Sequence, residues 1–465
     1  MSGTLFDQIW DDHVVATLPG GAALIAIDRV LLHERTGAAA LNSLRAAGRA
    51  IADPARVFAM MDHIVDTLPG RSDQTLVPGG QAFITETRAS ARAAGITLFD
   101  VTDRDQGIMH VVSPELGIVC PGLTLIAPDS HTCTQGALGA LAWGIGSSEA
   151  EHAMATGTLR ITRPKTLRVT FSGTLATGVT AKDMMLALIA EHGAGGGAGH
   201  VAEFAGDAVR GLDMEARMTL CNMATEFSAF AGLIAPDQVT FDWLKGRRYA
   251  PQGAAWDAAI RQWRALRSAP DARFDAQIMI DAAAIPPMVS WGTSPQSSVA
   301  ITGTVPADAN PAMLAYMDLA AGAALIGTRI DAAFIGSCTN ARLSDLRRAA
   351  ALLAGRSVAR GVRAICVPGS SAVKRAAEAE GLDRVFVSAG FEWRESGCSM
   401  CFFAGGESFA EGTRVISSTN RNFESRQGLR VKTHIASPET VAASAIAGAI
   451  ADPRKMTRQG MLADG

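Results

Sequence analysis

Three cysteines in this chain stand where sulfur could meet metal. Cys338 lies in Gly336-Ser337-Cys338-Thr339-Asn340, directly after the apolar run 332–335. A cysteine at the carboxyl end of such a strand faces the ligand side of an open α/β sheet. Amides of the helix expected to follow favour its thiolate. Cys398 and Cys401 form Cys-Ser-Met-Cys, and two intervening residues let both sulfurs reach one centre. Alone, that pair suits zinc, a redox dithiol or an iron–sulfur centre. Zinc commonly takes two such pairs, and the chain has no second one. A redox dithiol leaves Cys338 without a role. Three thiolates bind three irons of a cubane and leave the fourth open to a substrate hydroxyl and carboxylate, which makes it a Lewis acid. Cys120 and Cys366 fall in apolar runs and read as core, whereas Cys133, two residues beyond His131, could face the site.

Acid–base candidates come next. Met61-Asp62-His63, Gly107-Ile108-Met109-His110 and Asp129-Ser130-His131-Thr132 each set a histidine beside a loop. A lone histidine is more often structural, but three of the nine histidines fall in such settings. An aspartate beside a histidine fixes its tautomer and tunes its pKa. In the polar segment 418–426, Arg421 and Arg426 lie five residues apart. Guanidinium forks suit bidentate carboxylate recognition; the bland alternative is a solvated loop. The run Gly-Ala-Gly-Gly-Gly-Ala-Gly at 193–199 reads as a turn where backbones pass closely, with an anion-binding nest as the alternative.

The elements that must position these groups alternate. Strand-like runs occupy 22–27, 117–126, 278–280, 332–335, 364–367 and 384–388; helix-like patterns occupy 147–158, 181–191, 344–353, 372–380 and 439–451. Such alternation predicts α/β domains with largely parallel sheets. No long-period repeat is visible. Pro164 marks one boundary, and Pro286, Pro287 and Pro295 another. The resulting expectation is three domains, 1–165, 166–282 and 283–465, in line with about 150 residues per domain.

Composition narrows the function. Hydrophobic residues make up 48% and charged residues 19%, with a net charge of -3, so large cores can form and no basic surface calls for nucleic acid or a membrane. No uncharged apolar stretch is long enough to span a bilayer. Residues 1–12 are acidic and polar, unlike a secretory leader, so the expected location is the cytoplasm. Seven cysteines in a reducing compartment are then not a disulfide framework.

Together these segments resemble the isopropylmalate dehydratase branch of the aconitase superfamily, over nearly the whole chain. The matching segments are Ile27-Asp28-Arg29 with His33-Glu34, Met61-Asp62-His63, Asp129-Ser130-His131-Thr132, Val179-Thr180-Ala181-Lys182-Asp183 and Glu203-Phe204-Ala205-Gly206. They continue with Arg217-Met218-Thr219-Leu220-Cys221-Asn222-Met223, Trp291-Gly292-Thr293-Ser294-Pro295, Gly336-Ser337-Cys338-Thr339-Asn340 and Ala389-Gly390-Phe391-Glu392-Trp393-Arg394-Glu395. Cys398-Ser399-Met400-Cys401, Asn420-Arg421-Asn422-Phe423 and Thr433-His434 complete the set.

The resemblance implies three α/β/α domains around a central cluster site, lacking the family's fourth, swivelling domain. It implies one [4Fe–4S] cluster per subunit on Cys338, Cys398 and Cys401. It assigns acid–base and orienting roles to Asp62, His63, His110, Asp129, His131 and Glu226. Substrate contacts fall to His33, Ser130, Asn222, Asn340, Arg421 and Arg426. The base is expected on a separate small subunit, so this chain is expected to need that partner. The implied reaction is dehydration and rehydration of a hydroxy-dicarboxylate, with isopropylmalate of leucine biosynthesis foremost. Citraconate/2-methylmalate or 2,3-dimethylmalate is the alternative. An iron-sensing RNA binder, another activity among aconitase relatives, is disfavoured by the unremarkable charge. The chain departs from the family pattern in three places. It has Phe402-Phe403-Ala404-Gly405-Gly406 where an aliphatic, small, Met-Asn run is usual, Ser425 where glycine is usual, and Pro128, Cys133 and Gln135 around His131.

Overall fold

Parallel strands buried on both faces read as continuous apolar runs. The strands Val57–Met60, Thr124–Ala127, Ala332–Ile335 and Arg414–Ser417 are buried at every position. The structure is a computed structural model that describes residues 3–402 and 406–456. It divides into two compact units. The first comprises Met1–Ile64, Gly79–Gly173 and Gly195–Ile280, and the second Val65–Pro78, Thr174–Ala194 and Asp281–Gly465. The chain therefore enters the second unit twice before settling there, where the sequence reading expects contiguous domains. The expected boundary at 165/166 falls at the start of the strand Lys165–Ser172, inside the first unit. The one at 282/283 lies beside the last passage, at Ile280/Asp281.

The first unit holds a five-stranded sheet in the order Thr97–Phe99, Val57–Met60, Arg29–His33, Thr124–Ala127, Leu141–Gly144. All neighbours are parallel. Successive strands are added outward from Arg29–His33, first on one side and then on the other. The sheet thus has a topological switch between Arg29–His33 and Thr124–Ala127, and ligands of open α/β sheets bind outside the carboxyl ends of strands at such a point. A second sheet in this unit runs Ala231–Leu233, His200–Ala205, Lys165–Ser172, Ala276–Asp281. A small antiparallel sheet runs Val14–Thr17, Ala22–Ala26, Thr158–Thr162, with Ala22–Ala26 in the centre. The core includes Leu5, Ile9, Ile25, Leu32, Ile126 and Leu141, each fully buried.

The second unit repeats the arrangement. Its sheet runs Phe391–Trp393, Arg363–Cys366, Ala332–Ile335, Arg414–Ser417, Lys432–Ile435, again all parallel and again built outward from its first strand. Its switch lies between Ala332–Ile335 and Arg414–Ser417. Two sheets of identical strand order exist in a chain whose sequence shows no repeat. Topology constrains which strand follows which, but not which apolar side chain fills each slot.

Two local expectations are corrected. The run 384–388 is helical, inside Leu382–Ala389, and the strand of that region is Phe391–Trp393. Gly381 and Gly390, both at positive φ, bracket the helix. Only Phe386 and Ala389 on it are buried, at helical spacing, while Val387 is exposed. The run Val385-Phe386-Val387, of β-branched and aromatic residues, imitated a strand. Of 117–126 only Thr124–Ala127 is strand. Gly117, in the left-handed region, ends the helix Met109–Leu116, and Cys120 lies in the turn beyond it. The turn at 195–199 is a close crossing, as expected: a Cβ on Gly197 would meet Ala229 Cβ at 3.0 Å. Among the described residues no helix is long and apolar enough to cross a membrane.

Candidate active site

The switch of the first sheet gathers the predicted histidines and acids. His33 ends its strand, Asp62 and His63 follow Met60, and Asp129 and His131 follow Ala127. His110 sits in the first turn of the helix Met109–Leu116. A residue outside the predicted set fastens the loop. Glu34, fully buried, accepts from the backbone N–H of Asp62 (3.0 Å), of His63 (2.7 Å) and of Ile64.

The side chains form one chain of hydrogen bonds. His63 Nδ1 meets Asp62 Oδ1 at 2.6 Å and its Nε2 meets Asp129 Oδ2 at 3.3 Å. Asp62 Oδ2 accepts from the Met109 N–H at 2.9 Å, which fixes its carboxylate plane. Asp129 Oδ1 meets His110 Nε2 at 2.9 Å and accepts from the His131 N–H at 2.7 Å. His131 Nε2 meets Glu226 Oε1 at 2.9 Å. His33 stacks on His63 with ring centroids 4.2 Å apart. Asn222, fully buried at the end of the helix Met214–Asn222, donates to Thr134 Oγ1 at 2.8 Å. Ser130 is exposed.

Charges follow from this wiring. Burial pushes the His63 imidazolium toward neutrality, but Asp62 and Asp129 outweigh it and raise His63 well above the ordinary histidine value. Burial also opposes the Asp129 carboxylate, yet His110, His131 and His63 hold it well below the carboxylate range. His33, buried and beside the His63 charge, is lowered to about 4. At neutral pH the pair is thus a neutral imidazole stacked on a protonated one. Such separation of pKa values in neighbouring groups marks acid–base sites.

The switch of the second sheet carries Cys338, which shares the Asn420 side chain with Cys401. Cys338 follows the strand Ala332–Ile335, and residues 418–421 follow Arg414–Ser417. None of the seven cysteines forms a disulfide. Burial pushes Cys120 up to about 12 and raises Cys221 and Cys366 well above the usual thiol range, so these three are inert. Cys133 is buried with its Sγ on the Asn222 carbonyl, at 3.5 Å. Polar groups surround the other sulfurs. Asn420 Nδ2 donates to Cys338 Sγ at 3.4 Å, and its Oδ1 lies 3.9 Å from Cys401 Sγ. Cys401 Sγ also meets Ser337 Oγ and Thr419 Oγ1, each at 3.4 Å. Asn420 belongs to a matched segment but was not among the predicted site residues.

The backbone at the cysteines is strained. Ser337 has φ 87° and Ser399 has φ 47°, conformations that cost a non-glycine residue about 1–3 kcal/mol and cluster at functional sites. The buried Glu407 holds Ser399 in place. It accepts from Ser399 Oγ (2.6 Å), Thr67 N–H (2.6 Å) and Arg394 Nη1 (3.1 Å). The segment Glu392-Trp393-Arg394 thereby acts on the cysteine turn without touching sulfur.

The arginines differ. Arg421 is half-buried just past the strand. Arg426 is buried between two rings, its guanidinium carbon 4.6 Å from the Phe402 centroid and 5.1 Å from that of Phe423, with Nη2 3.8 Å from Cys401 Sγ. The unusual Phe402 thus stacks on a predicted site arginine; residues 403–405 lie outside the described residues. Ser425 has φ 62°, which explains the glycine usual there, and its Oγ accepts from the Arg430 N–H at 3.1 Å. Asn340, expected to contact substrate, stands in the turn after Cys338. Only 2% exposed, it accepts from Lys182 Nζ at 3.0 Å and donates to Asp345 Oδ1 at 3.1 Å, which ties down the turn.

Of the predicted site residues, the first unit brings together His33, Asp62, His63, His110, Asp129, Ser130, His131, Asn222 and Glu226. The second unit carries Cys338, Cys398, Cys401, Asn340, Arg421 and Arg426. Comparison with known proteins bears on what these sets are. The chain is 50% identical to 3-isopropylmalate dehydratase large subunit 1 of Bradyrhizobium diazoefficiens, over 98% of its own length and 97% of the relative's. The family model for aconitase (aconitate hydratase) matches residues 7–448. The chain belongs to the aconitase family.

Proposed function

We propose that this chain is the large subunit of a hydro-lyase that interconverts 2-isopropylmalate and 3-isopropylmalate by losing and re-adding water, in leucine biosynthesis. The observation that carries the reading is His63 held between Asp62 and Asp129, in a chain half-identical along its length to a protein named as an isopropylmalate dehydratase large subunit. That name favours isopropylmalate over the smaller methyl-substituted malates. It also supports a small-subunit partner, which in this reading carries the swivelling domain and the base. The three domains are read as 1–165, 166–282 and 283–465. The location is read as cytoplasmic.

Family membership implies an iron–sulfur cluster. We assign a [4Fe–4S] cluster, one per chain, to Cys338, Cys398 and Cys401. The donor set fits: three thiols, two of them met by the Asn420 side chain and by hydroxyls, and none drawn into a disulfide. When bound, such a cluster supplies a Lewis-acidic iron that weakens the bond to the departing hydroxyl. This chain's own residues do the rest. His63, whose imidazolium is stabilised by the Asp62 and Asp129 carboxylates, delivers a proton to the leaving oxygen. Asp129 links it to His110 and His131, and Glu226 orients His131. His33, Ser130 and Asn222 contact the substrate. Arg421 and Arg426 hold its carboxylates and stabilise the negative charge that develops when the neighbouring proton is removed.

Losing one such donor costs about 3–4 kcal/mol of barrier. Arg421→Lys keeps the charge and loses the fork, so it should cut turnover on isopropylmalate by two orders of magnitude in the complex with the small subunit. Turnover near wild type would remove Arg421 from the site. A wild-type complex that turns over dimethylmalate but not isopropylmalate would overturn the substrate assignment.

A further inference from the structure

Lys182 belongs to a matched segment, Val179-Thr180-Ala181-Lys182-Asp183, that the proposed reaction does not use. Its side chain is fully buried, with Nζ donating to Asn340 Oδ1 at 3.0 Å and to the Ser418 carbonyl at 2.5 Å. A second buried cation reaches the same turn. Arg342, 1% exposed, donates through Nη1 to the Thr339 carbonyl and through Nη2 to the Cys338 carbonyl, each at 2.7 Å. Among the described residues Arg342 has no carboxylate within salt-bridge distance, and its buried Nε has no hydrogen-bond partner. The nearby Asp345 spends its oxygens elsewhere, on Asn340 Nδ2, the Arg342 N–H and Arg348.

A buried guanidinium without a counter-ion is costly, and an apolar side chain of similar volume would relieve that cost. Its retention makes sense where it holds something anionic. What it holds is the turn 338–340, gripped by its backbone carbonyls from Arg342 and by the Asn340 side chain from Lys182. Ser418 completes the grip, donating from Oγ to the Asn340 carbonyl at 3.1 Å and accepting from the Gly336 N–H at 3.0 Å. We propose that Lys182 and Arg342 are positioning residues that fix the Cys338 corner and supply buried positive charge to the thiolate-held iron–sulfur centre. The inference rests on the reading of Cys338 as a ligand. Outer-shell groups of this kind orient ligands, and their loss commonly costs about 10–100-fold in metal affinity.

The test uses the full chain with its small subunit, loaded anaerobically with iron and sulfide. Wild type, Arg342→Gln, Arg342→Lys and Lys182→Met are compared with Leu346→Ala. Leu346 is fully buried on the helix that follows the Cys338 turn, Leu343–Leu353, so its truncation weakens the same element without removing either cation. Readouts are the rate of iron release to a ferrous chelator, the EPR spectrum of the reduced centre and the melting temperature. Arg342→Gln and Lys182→Met should release iron about 10–100-fold faster than wild type, with altered EPR signals. Leu346→Ala should release it near the wild-type rate despite a lower melting temperature. Release within twofold of wild type in the folded cation variants overturns the proposal. So does Leu346→Ala losing iron as fast as they do. If Arg342→Gln does not fold, Arg342→Lys decides, because an ammonium cannot reproduce the fork on both carbonyls; a wild-type release rate there is fatal. A wild type that never takes up iron refutes the ligand reading itself, a separate result.

Discussion

Replacing Glu34 by Gln removes one charge from a site that no substrate needs to touch. The two oxygens of Glu34 serve three backbone N–H groups, those of Asp62, His63 and Ile64. The glutamine amide can keep Oε1, which takes His63 and Ile64, but then points NH2 at the Asp62 N–H. One buried donor loses its acceptor, at about 1–3 kcal/mol, and the two remaining bonds lose their charge assistance, at roughly 1 kcal/mol each. The sum, about 3–5 kcal/mol, is a local loss, because it loosens the loop that carries Asp62 and His63. At roughly 1.4 kcal/mol per factor of ten, opening of that loop becomes at least 100-fold more frequent. Amide hydrogen exchange resolved to residues 62–64 should accelerate by that factor, with strand amides elsewhere in the unit little changed. Displacement of the pair by about 1 Å also costs on the order of 100-fold in turnover. Exchange within threefold of wild type at 62–64, together with normal turnover, would show that Glu34 does not position the pair.

Three further outcomes are expected. His63 is raised well above the ordinary histidine value, so the stability it contributes is fully present below pH 6.5 and is lost as pH rises through its folded pKa. The melting temperature of the wild type should therefore fall more steeply above pH 7 than that of His63→Gln, and parallel curves would contradict the charge state assigned to His63. Phe402→Leu removes one ring from Arg426, a contact worth about 0.5–1 kcal/mol. It should raise KM for the dicarboxylate about two- to fivefold with kcat little changed, and an unchanged KM would argue that the Phe423 ring suffices. Asn420→Ala strips the amide from Cys338 and Cys401. Iron release to a chelator should then quicken by about tenfold, and a wild-type rate would show that the amide does not support the sulfurs.

Residue type and spacing made the proposed ligands legible because their chemistry is local: a Cys-Ser-Met-Cys needs only its own backbone, and a buried strand announces the turn at its end. The strand Ala332–Ile335 and the helix Ala181–His192 were readable from apolar pattern alone. What escaped was set by tertiary partners. Glu34 is an ordinary glutamate until three amides of another loop converge on it. Asn420 and Asn340 are the same residue type near the same cysteine, and only the fold gives the sulfurs to one and the buried lysine to the other. The helix Leu382–Ala389 was hidden by a Val-Phe-Val run whose second valine faces solvent. Its flanking glycines, each in the left-handed region, were the signal that could have revealed it. The two passages of the chain into the second unit leave no composition shift, because strand ends and loop starts look alike on either side.

The central claim is that Cys338, Cys398 and Cys401 hold an iron–sulfur cluster that serves the hydro-lyase reaction. It is tested most directly by anaerobic purification, followed by iron, sulfide and zinc analysis of the wild type and of Cys338→Ser, Cys398→Ser and Cys401→Ser. Iron and acid-labile sulfide are expected in equal amounts in the wild type, with a visible charge-transfer spectrum, and both should be lost in each serine variant. A colourless wild type loaded with zinc, or a cluster that survives all three substitutions, would contradict it.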